Sequence, residues 1–177
     1  MNLRLLFAIG AASLSLVGCA TSSSANAPQK RHWSPSDNIP RHVQKMQRVR
    51  TTAYSCREKG GARNAIGGRL SAGPVKSAAA DWSRFPMGTK FRLIQTGELY
   101  RIEDYGSALV GTQTIDLYKP SMRAMRAWGV RQVDIEILEW GCPERSLKIL
   151  SDRTRNRHVR KMVESLRADL GTRPGRG

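Results

Sequence analysis

The sequence predicts a mainly β domain: a small closed barrel of six short strands, with one short helix inside the run and a basic helix after it. Two observations carry this. From Val49 to Trp140 the chain reads as short apolar runs broken by Gly and Pro, a texture that suits strands better than helices. Six such runs fit into about 90 residues, the close, even spacing of a small barrel.

Composition sets the frame. The chain has 177 residues, enough for one domain with tails. A 40% hydrophobic content supplies one packed core and excludes a wholly disordered chain. Aromatics at 6% and a mean hydropathy of -0.46 exclude a membrane-embedded fold. Lys and Arg number 30 against 14 Asp and Glu, and the resulting charge of +16 attracts polyanions such as nucleic acid, anionic lipid or an acidic wall polymer.

The elements follow in chain order. Residues 1–18 carry Arg4, then an apolar run from Leu5 that is too short to span a bilayer, so they read as a signal peptide. The run ends in Leu16-Val17-Gly18-Cys19, which resembles a bacterial lipobox. That implies cleavage before Cys19, lipid on its thiol, and a membrane anchor of several acyl chains. Export removes nucleic acid from the expected partners. Residues 19–48, rich in Ser, Asn, Pro and basic side chains, read as a flexible tether. The barrel is expected over 49–142, with strands at Val49–Tyr54, Val75–Ala80, Lys90–Ile94, Tyr100–Glu103, Thr114–Tyr118 and Val133–Leu138. Pro120 suits a first helical turn, Met122, Met125 and Trp128 fall at helical spacing toward a core, and Gly129 is a natural stop. Residues 143–177 read as one basic amphipathic helix through Arg167, with apolar positions Leu147, Leu150, Val159, Met162, Val163 and Leu166, and a disordered tail. That helix either packs on the barrel or lies on an anionic surface.

Cys56 and Cys142 each follow the end of a predicted strand. Parallel neighbouring strands would bring them together as a disulfide in an oxidising compartment; antiparallel strands would keep them apart. His32, His42 and His158 are scattered without ligand spacing, so no metal is expected, and no cofactor is implied.

Acids are scarce in this basic chain, which makes Asp81, Asp104 and Asp116 conspicuous beside glycine-bearing turns. Read alone, such aspartates most often cap turns. Asp134 and Glu136 alternate with Val133, Ile135 and Ile137 and read as a solvated strand face. Together, Thr52-Ala53-Tyr54, the Ala-x-Asp at Asp81, Pro86-Met87-Gly88-Thr89, the Asp-x-Gly stretch from Asp104 to Gly111 and Ile115-Asp116-Leu117-Tyr118 resemble the 3D domain, named for its three aspartates. Through that family the chain is similar to the catalytic barrel of membrane-bound lytic transglycosylase A, and more distantly to rare lipoprotein A and the expansins. Two departures stand out: Asp104-Tyr105-Gly106-Ser107 replaces the usual Asp-Thr/Arg-Gly-Gly, and the Ala65-Ile66-Gly67-Gly68 region replaces the usual Ala-Thr-Gly.

The resemblance implies a six-stranded double-psi β-barrel with its aspartates at a glycan groove. It also implies cleavage of the MurNAc-β-1,4-GlcNAc bond of peptidoglycan, Asp116 serving as acid and then base with Asp104 and Asp81 in support. Negative neighbours would raise the pKa of such an acid, as its task requires. Trp82, Tyr105 and Tyr118 sit beside the aspartates and are candidates to stack on sugar rings. Lys90, Arg92, Arg101 and Lys119 are candidates to meet the peptide carboxylates. The competing readings are a wall-binding, expansin-like barrel without catalysis and a structural envelope lipoprotein.

Overall fold

The computed structural model describes residues 43–57 and 61–172. The predicted signal peptide, Cys19, most of the tether and the extreme C-terminus lie outside them. Six strands, β1 (Gln44–Tyr54), β2 (Val75–Ala79), β3 (Lys90–Leu93), β4 (Leu99–Asp104), β5 (Ile115–Tyr118) and β6 (Arg131–Glu139), close into a barrel in the order β1-β5-β2-β4-β3-β6. Closure leaves no unpaired sheet edge. The pairs β1/β5 and β2/β4 are parallel; the other four are antiparallel.

Side chains alternate as a barrel requires. Val49, Thr51, Ala78, Phe91, Leu93, Tyr100, Ile102, Ile115, Leu117, Val133, Ile135 and Ile137 are buried. β1 begins at Gln44 rather than Val49, because Gln44, Lys45 and Met46 pair with Ile137, Glu136 and Ile135 of β6. The basic, mostly exposed residues there hide the strand in the sequence. A bulge between Met46 and Val49 is built on Arg48, at φ 52°, whose amide donates to the Asp134 carboxylate at 2.8 Å.

Helix α1 (Met122–Trp128) is capped by the Ser121 hydroxyl, which accepts from the Ala124 amide, and stops at Gly129, at φ 62°. None of its residues is fully buried. Trp128 packs against the barrel core, and its indole N–H donates to the Thr51 hydroxyl at 3.2 Å.

The expected single C-terminal helix is two, α2 (Pro143–Ser151) and α3 (Arg157–Gly171). The intervening stretch and its flanks hold Ser151, Asp152, Thr154 and Asn156, residues that favour caps and turns over helix interiors. Ser151 bonds back to the Leu147 carbonyl at 2.8 Å, Asp152 is the C-cap of α2 and Asn156 the N-cap of α3. The pair packs on the barrel: Leu150, Val159, Met162, Val163 and Leu166 join one core with Trp82, Phe85 and Met87. Where β6 runs on toward α2, backbone crosses backbone. A Cβ on Gly141 would lie 2.2 Å from the Pro86 carbonyl oxygen, so only glycine fits. The Ser146 hydroxyl of α2 accepts from the Met87 amide at 2.9 Å across the same seam.

Candidate active site

The strand register places the candidate site. Thr52 pairs with Asp116, Asp116 with Ala79, and Ala79 with Asp104. Paired residues share a face, so these four side chains form a row on the outer wall, alternating with Thr51, Ile115, Leu117, Ala78 and Ile102, which are buried. The two aspartates stand two strand spacings apart, about 10 Å between Cα atoms, with only the Ala79 methyl between them.

Asp104 reaches this row through a bulge. Ala78 pairs with Ile102 and Ala79 with Asp104, leaving Glu103 as the additional residue of β4. In uninterrupted register Ala79 would face Glu103 and Asp104 would turn to the other face. Glu103 is occupied elsewhere: it accepts from the Ser77 hydroxyl at 2.9 Å and the Asn64 amide at 3.2 Å. Asn64 in turn accepts from the backbone of Ile66 and Gly68 and shapes the loop over the row.

A cleft of about 680 Å³ opens there, between the Asn64–Ala65 loop and the Tyr105–Leu109 turn. Burial pushes the Asp104 carboxyl above its usual range, and the nearby Asp116 charge adds to this; the Tyr105 and Ala65 amides and Arg153 pull the other way and do not cancel it. Asp116 accepts from the Thr52 hydroxyl at 2.7 Å. Both carboxyls line the same cleft. Tyr54, on the same wall, is raised far above the ordinary phenol value by burial and by the charges of Asp104 and Asp116.

Of the aspartates expected to converge, Asp104 and Asp116 meet and Asp81 does not. Asp81 is 2% exposed, and its carboxylate accepts from the Ser83 amide at 2.9 Å, the Ser83 hydroxyl at 2.7 Å and the Gly111 amide at 2.7 Å. It folds the turn after β2 and ties it to the segment before β5, the ordinary work of an aspartate beside glycine.

Of the three expected sugar-stacking aromatics, Tyr105 lines the cleft and the others do not. Trp82 is fully buried, its indole N–H donating to the Asp104 carbonyl at 2.8 Å and its ring edge-on to Tyr105. Tyr118 is 6% exposed and packs against Tyr54. The cations expected at the groove are committed elsewhere: Lys90 to Glu139, Arg92 to Glu136, Arg101 to Glu103, and Lys119 to Glu98 and Tyr100. Arg50 and Arg63 line the cleft instead. Cys56 and Cys142 are free thiols, because β1 and β6 are antiparallel and their C-terminal ends lie at opposite ends of the pair. The Cys142 sulfur caps α2.

Four contributors were not singled out from sequence. Thr52 and Tyr54 fall in the Thr52-Ala53-Tyr54 motif, and their alternate spacing on a strand was the available signal. Asn64 and Arg153 gave none, since each acts across a long sequence separation. Arg153, between α2 and α3, donates to the Ala65 carbonyl at 2.7 Å and lies 3.4 Å from the Tyr105 hydroxyl, bracing both sides of the cleft.

Comparison with curated proteins finds no match. Comparison with family models finds one over residues 76–139, less than half of the chain, from β2 to the end of β6. The molecule is therefore a closed six-strand barrel in which the stretch carrying Asp81, Asp104 and Asp116 matches the 3D domain.

Proposed function

We propose that the protein is a peptidoglycan-cleaving lytic transglycosylase, held to a membrane by lipid on Cys19, in which Asp104 and Asp116 work as one acid–base pair. The supporting observation is the row Thr52–Asp116–Ala79–Asp104 on the floor of a cleft. The match to the 3D domain, a family associated with peptidoglycan-active barrels, directs the reading to a cell-wall polymer.

Breaking the β-1,4 bond between MurNAc and GlcNAc requires a proton on the leaving oxygen. In this reading Asp116 carries the proton and delivers it. The C6 hydroxyl of MurNAc attacks C1 and gives its proton back to Asp116, so the glycosidic bond breaks and a 1,6-anhydro ring forms with no water consumed. Asp104, on the same row, faces the oxocarbenium-like charge, which its ionised form would steady. Arg50 and Arg63 on the cleft wall are placed to meet the polymer's carboxylates. In a source with two membranes, Ala20 after Cys19, in place of an aspartate, would sort the anchored protein to the periplasmic face of the outer membrane.

The test is mass spectrometry of purified sacculi incubated with the chain from Thr21 onward and with its Asp116→Asn variant. Anhydro-muropeptides from the parent, absent with the variant, are expected. Reducing-end sugars would make the enzyme a hydrolase using water. Protein that pellets on sacculi and releases nothing would make it a binding barrel.

A further inference from the structure

Among the described residues, the buried side-chain polar atom left without a hydrogen bond is the hydroxyl of Tyr54. The same residue lines the cleft with Asp104 and Asp116. Its position follows from the sheet. Tyr54 lies two residues beyond Thr52 on β1, hence on the same face, and pairs with Tyr118 of β5. The two rings pack with centroids 5.6 Å apart at 60°, which holds the phenol in place instead of letting it swing to solvent.

A buried hydroxyl with no partner weakens the resting fold, and native proteins rarely keep one without a use. Its protonation state is defined: burial and the neighbouring carboxylates keep the phenol neutral, so it is a donor. The two carboxyls beside it repel an anionic group, so the acceptor that suits it is a neutral oxygen.

We propose that Tyr54 contacts the substrate, its hydroxyl donating to a neutral sugar oxygen (glycosidic, ring or acetamido carbonyl) seated beside Asp104 and Asp116; this rests on the glycan-cleaving reading above. The donor is set in the fold before the sugar arrives, which is the arrangement that favours a transition state over bulk solvent.

Tyr54→Phe removes the hydroxyl and keeps the ring, and Tyr118→Phe is the matched control on the neighbouring strand. Melting temperature, release of anhydro-muropeptides from sacculi, and binding to soluble alternating GlcNAc–MurNAc strands would be measured for parent and both variants. For Tyr54→Phe an unchanged or higher melting temperature is expected with about a tenfold or greater loss of turnover. Tyr118→Phe should leave turnover within about twofold of the parent. A lower melting temperature for Tyr54→Phe, with turnover per folded molecule intact, would assign the hydroxyl a structural role and overturn the proposal. So would turnover and binding equal to the parent. If the parent binds strands but releases nothing, the cleavage reading fails by itself, and weaker binding by Tyr54→Phe still supports the contact while equal binding overturns it. A parent that neither cuts nor binds overturns both.

Discussion

Two clusters of ionisable groups are built into the same barrel, and they are satisfied in opposite ways. Beneath α1, Lys119 is 8% exposed; its ammonium donates to the Tyr100 hydroxyl at 2.8 Å, lies 3.5 Å from the Glu98 carboxylate and sits 4.4 Å from the Trp128 ring centroid. Tyr100 donates to Glu98, and Lys76 pairs with Glu98 as well. Burial alone would raise Glu98, but its bond to Lys76 and the Lys119 charge outweigh it and hold the carboxyl below its usual value. In the cleft, two carboxyls of like charge share one floor, Asp104 is raised, and the Tyr54 hydroxyl has no partner. Complementary charges that pair with one another mark a cluster that holds the fold. Like charges with a donor to spare mark one that the fold tolerates for another purpose.

The sharpest way to break this contrast is at the carboxyl pair. Asp116→Asn and Asp104→Asn should each cut muropeptide release by about 10²- to 10⁴-fold. Thermal melts should show both variants as stable as the parent or more so, because a like-charge pair has been relieved. An Asn variant that unfolds would place these residues with Lys119 as structural groups.

Lys119→Met should do the reverse. Removing the ammonium leaves the Tyr100 hydroxyl without its donor and takes one of two cations from Glu98, a loss of about 1–3 kcal/mol in denaturant unfolding. Turnover per folded molecule should stay near the parent's.

Acid separates the clusters more gently. Asp104 has a raised folded pKa, so the stability it contributes is fully present below its ordinary value of 3.8 and is lost as pH rises through the folded value. Glu98 has a lowered one, so its contribution is present above 4.5 and is lost as pH falls through the folded value. In melts across pH, the parent's stability relative to Asp104→Asn should therefore fall from about pH 4 toward neutrality. Its advantage over Glu98→Gln should shrink as pH drops below about 4.5. Slopes of the same sign would dissolve the distinction. The smallest effect expected is from reductant: with Cys56 and Cys142 at opposite ends of the β1/β6 pair, dithiothreitol should leave the melting temperature of the chain from Thr21 onward unchanged.

Periodicity made the barrel legible. Short β-branched and aliphatic runs fell where β2 to β6 lie, because alternate residues fill a closed interior whatever the loops do. The start of β1 was hidden, since an outward basic residue costs nothing on a strand paired on one side with an acidic one, as Lys45 is with Glu136. The α2–α3 break was present in the cap-forming residues around 151–156 but lost against the apolar spacing on either side.

In the site, Asp104 and Asp116 were legible as scarce acids within motifs, while their meeting was implied only by the family resemblance and not by spacing. It depends on the extra residue at Glu103, and a bulge has no signature of its own in a single sequence. Asp81 shows the converse: the same residue type beside the same kind of turn, spent wholly on three hydrogen bonds. Trp82 looked like a stacking platform because it neighbours Asp81, and burial in the core is a tertiary fact that adjacency cannot reveal.

The brace from Arg153 bears on how such a protein can be cut and joined. The family match ends at residue 139, yet Arg153 holds the Ala65 side of the cleft, and α2 and α3 contribute Leu150, Val159, Met162, Val163 and Leu166 to the common core. A chimera spliced at the matched boundary would carry Asp81, Asp104 and Asp116 and still expose raw apolar wall, with one lip of the cleft unsupported. The portable unit runs from β1 through α3, longer at both ends than the stretch by which it is recognised.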